Sequence, residues 1–532
     1  MSQPAATDTV QWDRMTIPKT LERAARLWPN VSALEDGDVK LSFSQLDAEV
    51  ERATRAFLAC GVERGDRVGI WAPNGWRWEV AALGLHSAGA CLVTLNTRFK
   101  ASEAAYVLSK SRAKLLFTVG DFLGTNYADL IAKQDLPALE RTILLAGESG
   151  NGESWETFLA RGESVPATAA RERAASVTPE DLSDLIFTSG TTGNPKAVMT
   201  AHGQNLKVFD VWGRNVGRRA GDRYLIIMPF FHSFGYKSGW LACLIHGATA
   251  LPEAVFDVEP VLRRIEREKV TVMPGSPTIY QSMLAFPDRE RFDLSSLRLA
   301  VTGGAAVPVE LVRRMRSDLH FRDVITAYGL TESSGTVSCC RLDDDDETIA
   351  TTAGRPIPDT ETKCVDAEGN EVPRGEPGEI WTRGYHVMQG YFDDPAETAK
   401  AIDAEGWLHT GDIGVMDERG NLRITDRIKD MFIMGGFNVY PAEVENLLFQ
   451  HPDVAAVAVI GVPDERMGEV GHAFVVPVPG RKVESADVIA WSREHMANYK
   501  VPRFVDVVDA LPSNASGKVL KHELRARVAA RG

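Results

Sequence analysis

The sequence predicts an α/β fold with a large N-terminal part and a smaller α+β C-terminal part, and three observations carry that expectation. From Ile17 onward, stretches of helical periodicity alternate with short apolar runs of strand length. Hydrophobic residues make up 44% and charged residues 25% of the 532, a globular composition with enough chain for roughly two to four packed units. A polar, charged stretch at Asp426–Asp430 then separates the bulk of the chain from a last portion with apolar segments of its own.

Taken in order, residues 1–15 are polar and aperiodic and are expected to form a loose arm. The Phe43–Leu58 region reads as helix, the apolar run Arg67–Trp71 as strand, and Pro73–Gly75 as the turn after it. Ala146–Glu180, rich in Gly, Ser, Glu and Ala with one helical piece around Trp155–Leu159, reads as a connection between subdomains. Strand signals resume at Leu185–Phe187. Beyond the charged stretch, Pro441–Gln450 and Ser485–Met496 read as helices and Val454–Val462, Ala473–Val478 and Phe504–Val508 as strands, enough to bury a separate core. The expected division is therefore a domain at 16–426, a connecting segment at 427–431 and a small domain at 432–532. The acidic run Asp343–Glu347 reads as a solvated loop.

A formal net charge of −14 argues against a surface for nucleic acid or anionic membrane, either of which needs a concentrated basic face. A small anionic ligand in one basic pocket stays compatible with it. The N-terminus has neither a basic region nor an apolar one, so no secretory signal is read, and no uninterrupted apolar run in the sequence approaches the ~20 residues that a membrane span requires. The six cysteines are scattered, without C-x-x-C pairing or zinc spacing. A cytoplasmic location with reduced thiols is the simplest expectation. The oligomeric state is not legible, and a homodimer stays open.

The strongest chemical signal is Phe187-Thr188-Ser189-Gly190-Thr191-Thr192-Gly193-Asn194-Pro195-Lys196, directly after an apolar strand. Gly190 and Gly193 let the backbone turn and approach a ligand, the hydroxyls donate hydrogen bonds, and Lys196 adds a point charge, the parts needed to cradle a polyphosphate. Further on follow Pro229-Phe230-Phe231-His232, Val301-Thr302-Gly303-Gly304-Ala305, Thr326-Ala327-Tyr328-Gly329-Leu330-Thr331-Glu332, Thr410-Gly411-Asp412, Asp426-Arg427-Ile428-Lys429-Asp430, Gly435-Gly436-Phe437 and Ser516-Gly517-Lys518. With these motifs in this order, the chain resembles the adenylate-forming superfamily of acyl-CoA synthetases, peptide-synthetase adenylation domains and luciferases, from about Ile17 to its end.

The resemblance implies a fold and a chemistry. Three α/β subdomains would form the N-terminal domain, and a mobile C-terminal domain would follow. A carboxylate is a poor electrophile; coupling it to AMP, with loss of pyrophosphate from ATP, makes an anhydride that the thiol of coenzyme A can attack. The resemblance assigns adenine stacking to Tyr328, flanked by Ala327 and Gly329, phosphate contact to Thr331 and Mg²⁺ ligation to Glu332. It assigns ribose hydroxyls to Asp412, a second ribose and phosphate contact to Arg427, and the border of the adenine to Gly303, Gly304 and Ala305. Lys518, Glu332, His232 and Thr191 form the implied catalytic set, Lys518 bridging the carboxylate and the α-phosphate. A lysine on the small domain has to leave when coenzyme A enters, so the resemblance makes Lys429 a hinge and lets Gly435, Gly436 and Phe437 line the pantetheine tunnel.

One departure from the family pattern stands out: Ala197 follows Lys196 where Gly is usual, which leaves the local backbone geometry open. For the acyl pocket, His232, Phe234, Tyr236 and Lys237 mix aromatic and polar groups, which suits a bulky acid with polar substituents better than a plain alkyl chain. PFFHSFGYKSGWLACL, GSPTIYQSML and ITDRIKDMFIMGGFNVYPAEVE also resemble the actinobacterial ligases that activate the indanedione-propionate left after steroid A/B-ring degradation. A medium-chain or aryl acid:CoA ligase is the alternative within the fold. A stand-alone protein that loads a carrier domain is the alternative of another class, though no G-x-D-S-like attachment serine follows Lys518. A non-catalytic adenylate sensor is a third, which has no use for Lys518.

Overall fold

The structure, a computed structural model, describes residues 10–188, 194–303, 309–427, 432–439, 441–448, 450–478, 480–512, 519 and 521–530, apart from the side chains of 278, 310, 425–427, 438, 442, 446 and 522. Two large sheets build the N-terminal region. In the first, strands 153–154, 141–146, 115–119, 67–71, 91–94 and 182–188 run parallel, and 196–201 and 390–391 add antiparallel strands beyond the last. Cys91–Thr94 and Leu115–Val119 are buried along their whole length, which is why they read as continuous apolar runs rather than alternating ones. Helix Phe43–Ala59 begins on a capping box at Ser42 and Gln45. It packs against helix Trp76–Ser87, where a Cβ on Gly84 would lie 2.8 Å from that of Ala53, so only glycine permits this helix spacing.

The second large sheet joins strands 223–226, 249–252, 32–36 and 39–42 to strands 299–303, 323–328, 338–339 and 355–356. Val272 bridges Tyr224 on one side and Leu299 on the other and makes the two halves one layer. A third, antiparallel sheet comprises 360–365, 377–384, 408–416 and 422–427. One continuous core extends from Ile17 to Ile349 beneath the two large sheets. A separate core, Phe432 to Leu524, lies around a five-stranded C-terminal sheet in which Val454–Asp464 pairs with Gly468–Pro477. Strands Leu299–Gly303 and Asp323–Tyr328 pair in the second sheet and Leu182–Thr188 lies in the first, each with its motif residues at the C-terminal end, where open α/β sheets bind ligands.

Two expectations need correction. Ala146–Glu180 is not a simple connection: strand Glu153–Ser154 joins the first sheet, helix Trp155–Arg161 packs beside it, and helix Ala167–Ser176 packs against helices Phe43–Ala59 and Trp76–Ser87. The second helix has no amphipathic stripe in the sequence because it buries only Ala170, although its alanines favour helix. Nor is Asp343–Glu347 a solvated loop. Asp344 is buried and binds Arg355 at 3.2 Å, and Asp345 caps helix Asp346–Thr351 through the Thr348 N–H.

Glu79, on helix Trp76–Ser87, is buried, and desolvation raises its carboxyl from 4.5 to about 8. It is therefore protonated in the folded protein at neutral pH, whereas the unfolded chain releases that proton from pH 4.5 upward, so stability falls between pH 4.5 and 8. Glu79→Gln removes this loss. The variant is expected to match the parent near pH 5 and to exceed it by several kcal/mol, on the order of 4, at pH 8; thermal unfolding at the two pH values checks this, and equal differences at both would contradict it.

Candidate active site

Glu332 lies on the single helical turn Thr331–Ser333 that follows strand Asp323–Tyr328. Its Oε1 accepts hydrogen bonds from the Thr188 hydroxyl at 3.2 Å and the Tyr391 hydroxyl at 3.0 Å, and its backbone carbonyl accepts the Met388 N–H at 2.8 Å. Two segments far apart in sequence, at Thr188 and at Met388–Tyr391, thus hold Glu332 in place. Tyr391 closes the arrangement by placing its ring 5.0 Å from the Lys196 ammonium.

Lys196 is not free. Its ammonium pairs with Glu397, which also holds Lys400, and these two lysines keep the Glu397 carboxyl at about 2. A phosphate that takes Lys196 therefore displaces a carboxylate. Ala197 sits in strand Lys196–Ala201, paired with Phe187, and its carbonyl accepts the Phe392 N–H at 2.8 Å. An extended, paired residue has no need of glycine's left-handed freedom, so the departure at Ala197 leaves the local backbone regular.

Tyr328 donates a 2.6 Å hydrogen bond to Asp412, which is buried on strand Leu408–Met416 directly opposite Arg427. The two residues expected at the adenine and the ribose therefore converge. Gly303 and Gly329 are needed for close approach: a Cβ on Gly303 would lie 2.5 Å from the Ala327 carbonyl oxygen, and one on Gly329 would lie 2.4 Å from that of Gly335. Thr331 stands on the same turn as Glu332. Ser189, Gly190, Thr191, Thr192, Gly193, Gly304, Ala305, Lys429, Lys518 and the Arg427 side chain lie outside the described residues.

His232 follows the strand Arg223–Ile226 and accepts the Phe234 N–H at Nδ1, 3.3 Å away. The His232 ring is solvent-exposed, and the protein around it, with the Lys237 charge behind, lowers its pKa below the ordinary imidazole value, which favours the neutral form. Phe234 is half-buried beside it, and the turn at Gly335 approaches Ser233 and Phe209. Tyr236 and Lys237 are elsewhere. Lys237 is fully buried, 3.0 Å from Asp184 and 2.8 Å from the Thr200 hydroxyl, and the Tyr236 hydroxyl lies 3.3 Å from His86 and 3.5 Å from Asp184. Their polar atoms lie in the core against strand Leu182–Thr188 of the first sheet and present no charge to an acid, because the partner of Lys237 stands 53 residues earlier in the chain. Breaking such a buried pair costs several kcal/mol.

Gly435 and Gly436 turn the hairpin between Phe432–Met434 and Phe437–Val439 with φ of 57° and 85°. The tip faces the N-terminal region: a Cβ on Gly436 would lie 3.4 Å from the Ser276 hydroxyl oxygen, and Phe437 stacks on Tyr499 with the Arg98 guanidinium 4.5 Å from its ring centroid. Tyr391, Glu397 and Arg98 had no motif to reveal them. The aromatic Gly-Tyr pair at 390–391 and the acidic run after it were the only local hints. Tyr391→Phe removes one donor to Glu332 and is expected to lower kcat about 10-fold with a smaller change in KM for the acid; steady-state kinetics check this, and an unchanged kcat would contradict it.

Residues 21–392 match the family described as AMP-binding enzyme, and 443–518 match the AMP-binding enzyme C-terminal domain. The chain belongs to the AMP-binding enzyme family, and within it is an acyl-CoA ligase. Two relatives carry the name 3-[(3aS,4S,7aS)-7a-methyl-1,5-dioxo-octahydro-1H-inden-4-yl]propanoyl:CoA ligase. The one from Rhodococcus jostii is 51% identical, covering 96% of this chain and 98% of its own, and the one from Mycobacterium tuberculosis is 52% identical, covering 96% and 99%. Among solved structures, a double mutant of o-succinylbenzoate CoA synthetase from Bacillus subtilis, bound with a product analogue, superposes with a TM-score of 0.80 at 28% identity, over 96% of this chain and 98% of that one. The same enzyme in complex with its acyl-adenylate intermediate gives 0.64 at 29% identity, over the same 96% and 98%.

Proposed function

We propose that the chain joins the propanoate of a 7a-methyl-1,5-dioxo-octahydroindene to coenzyme A through an acyl-adenylate, using ATP and Mg²⁺. The observation that carries the acid is the identity of 51% and 52%, over nearly the whole length, to two relatives that both bear this name. Among the described residues no group of three His, Cys, Asp or Glu is placed to hold a metal ion. Glu332 alone fits Mg²⁺, which is bound through one carboxylate plus the phosphates of its nucleotide rather than by an all-protein cage. When bound there it would neutralise phosphate charge.

The chain's own residues do the rest. Thr188 and Tyr391 hold Glu332 in place, and Tyr328 and Asp412 offer a ring and an acceptor to the nucleoside. Lys196 exchanges Glu397 for a phosphate oxygen. Lys518 brings the cation that lets two anions meet. His232 and Phe234 border the acid, whose two ketones want hydrogen-bond donors. Domain limits at 16–426 and 432–532, with the hinge at Lys429, suit the two separate cores. The need for ATP and coenzyme A suits a cytoplasmic setting.

Competition between acids tests the substrate. With the bicyclic keto acid, octanoate and benzoate in turn, kcat/KM is expected to favour the first by at least about 100-fold, the discrimination available to a site that hydrogen-bonds polar groups. A preference for octanoate or benzoate would discard this acid and keep the ligase.

A further inference from the structure

We propose that Lys500 is a positioning residue for thioester formation: its ammonium, shared between Glu103 of the N-terminal region and Glu443 of the C-terminal region, holds the two regions in the arrangement from which the thioester forms. This rests on the two-step reading above. The Lys500 Nζ lies 2.6 Å from Glu103 Oε1 and 2.6 Å from Glu443 Oε1, and the three side chains are 2%, 9% and 6% exposed. Burial alone would lower the Lys500 pKa, but Tyr499 and the two carboxylates outweigh it and raise it, so the ammonium stays charged. One ammonium facing two buried carboxylates is costly to separate, because each partner left alone remains desolvated.

The position of the triad gives it its role. Glu103 stands in the first turn of helix Ala101–Ser111, its other oxygen accepting the Lys100 N–H at 2.9 Å, so the carboxylate is aimed by its own helix start. Phe99 lies 4.9 Å from the ammonium, and the Asn96 amide donates to the Tyr499 hydroxyl at 3.2 Å. Tyr499 in turn carries Phe437, next to the Gly435–Gly436 tip. The buried triad and the hairpin expected at the pantetheine tunnel thus belong to one contiguous contact between the regions. The whole chain superposes better on the relative bound with a product analogue than on the same relative with its acyl-adenylate, 0.80 against 0.64. An arrangement that brings Lys518 to the nucleotide in place of this hairpin must pull Glu103 away from Lys500, while Lys500 and Glu443 travel together in the C-terminal region.

That asymmetry supplies the test. Glu103→Gln leaves the Lys500–Glu443 pair and the C-terminal core intact, whereas Lys500→Met also takes the ammonium away from Glu443. Thioester formation from preformed acyl-adenylate and coenzyme A is expected to fall about 10-fold or more in Glu103→Gln, with acid-dependent pyrophosphate exchange altered less than about 2-fold, and the Lys500→Met effect should not add to it in the double variant. A second readout does not depend on the acid. The six native cysteines are buried, so spin labels on Leu123→Cys and Phe504→Cys, at exposed positions, report the distance between the regions in full-length protein. One dominant distance in the parent and a second population in Glu103→Gln are expected. Equal loss of both half-reactions, or an unchanged distance distribution, would overturn the proposal. Absence of any thioester from the parent would overturn the ligase reading instead, and the label distances would still decide the role of Lys500.

Discussion

Lys518→Ala is expected to slow acid-dependent pyrophosphate exchange by at least about 1,000-fold while leaving thioester formation from supplied acyl-adenylate within a few-fold of the parent. The physical reason is charge. In the first half-reaction a carboxylate attacks the α-phosphate of ATP, so two anions approach while negative charge moves onto the bridging oxygen. A cation on a long stem offsets that repulsion only in the transition state, and electrostatic groups of this kind are worth several kcal/mol in a water-excluded site. In the second half-reaction the thiol attacks a carbonyl already made electrophilic and AMP leaves, with no comparable meeting of anions. Equal loss in both half-reactions, measured separately by exchange and by thioester release, would contradict the role assigned to Lys518.

Glu332→Gln is expected to lower adenylation by about 100-fold or more and to raise the Mg²⁺ concentration needed for half-maximal rate. The substitution keeps shape but removes the negative charge. Thr188 and Tyr391 both donate to Glu332 Oε1, at 3.2 and 3.0 Å, so the amide can still accept from them through its oxygen and the loop geometry is retained. Titration of the initial rate with MgCl₂ separates the two possibilities. A drop in rate with an unchanged Mg²⁺ dependence would assign Glu332 to loop structure rather than to the ion.

Much of this site was legible because its chemistry is local. Thr188 and Lys196 flank one loop, Tyr328 and Glu332 are four residues apart on one strand-turn, and Asp412 follows a glycine turn, so each residue is named by a local motif, although Thr188 meets Glu332 across 144 residues and Tyr328 meets Asp412 across 84. The parts that were not legible depend on pairing over long separations. Tyr391 meets Glu332 from 59 residues away, Lys196 meets Glu397 from 201, and Lys500 meets Glu103 from 397. Lys237 shows the opposite error. Beside His232 and Phe234 it reads as a pocket cation, and only the buried Asp184, supplied by a strand that precedes the phosphate loop, reveals that its charge is already neutralised.

The fold was legible to a similar degree for a similar reason. Strand Arg67–Trp71 and helix Phe43–Ala59 announce themselves through apolar runs and periodicity. The helix Ala167–Ser176, held by Arg171 to Glu51 and by Arg173 to the carbonyls of Val62 and Ala88, owes its place to polar contacts that periodicity does not register. The joining of two sheets through Val272 is a tertiary fact with no local signature.

An AMP-forming, two-step synthesis of a thioester from the bicyclic keto acid leaves distinct products at each step. Mass spectrometry of the products tests it most directly, with the purified chain incubated with ATP, Mg²⁺ and that acid, first without and then with coenzyme A. Acyl-adenylate is expected in the first incubation, and acyl-CoA with AMP in equal amount in the second. ADP in place of AMP, or acyl-adenylate that persists without thioester when coenzyme A is present, would contradict it.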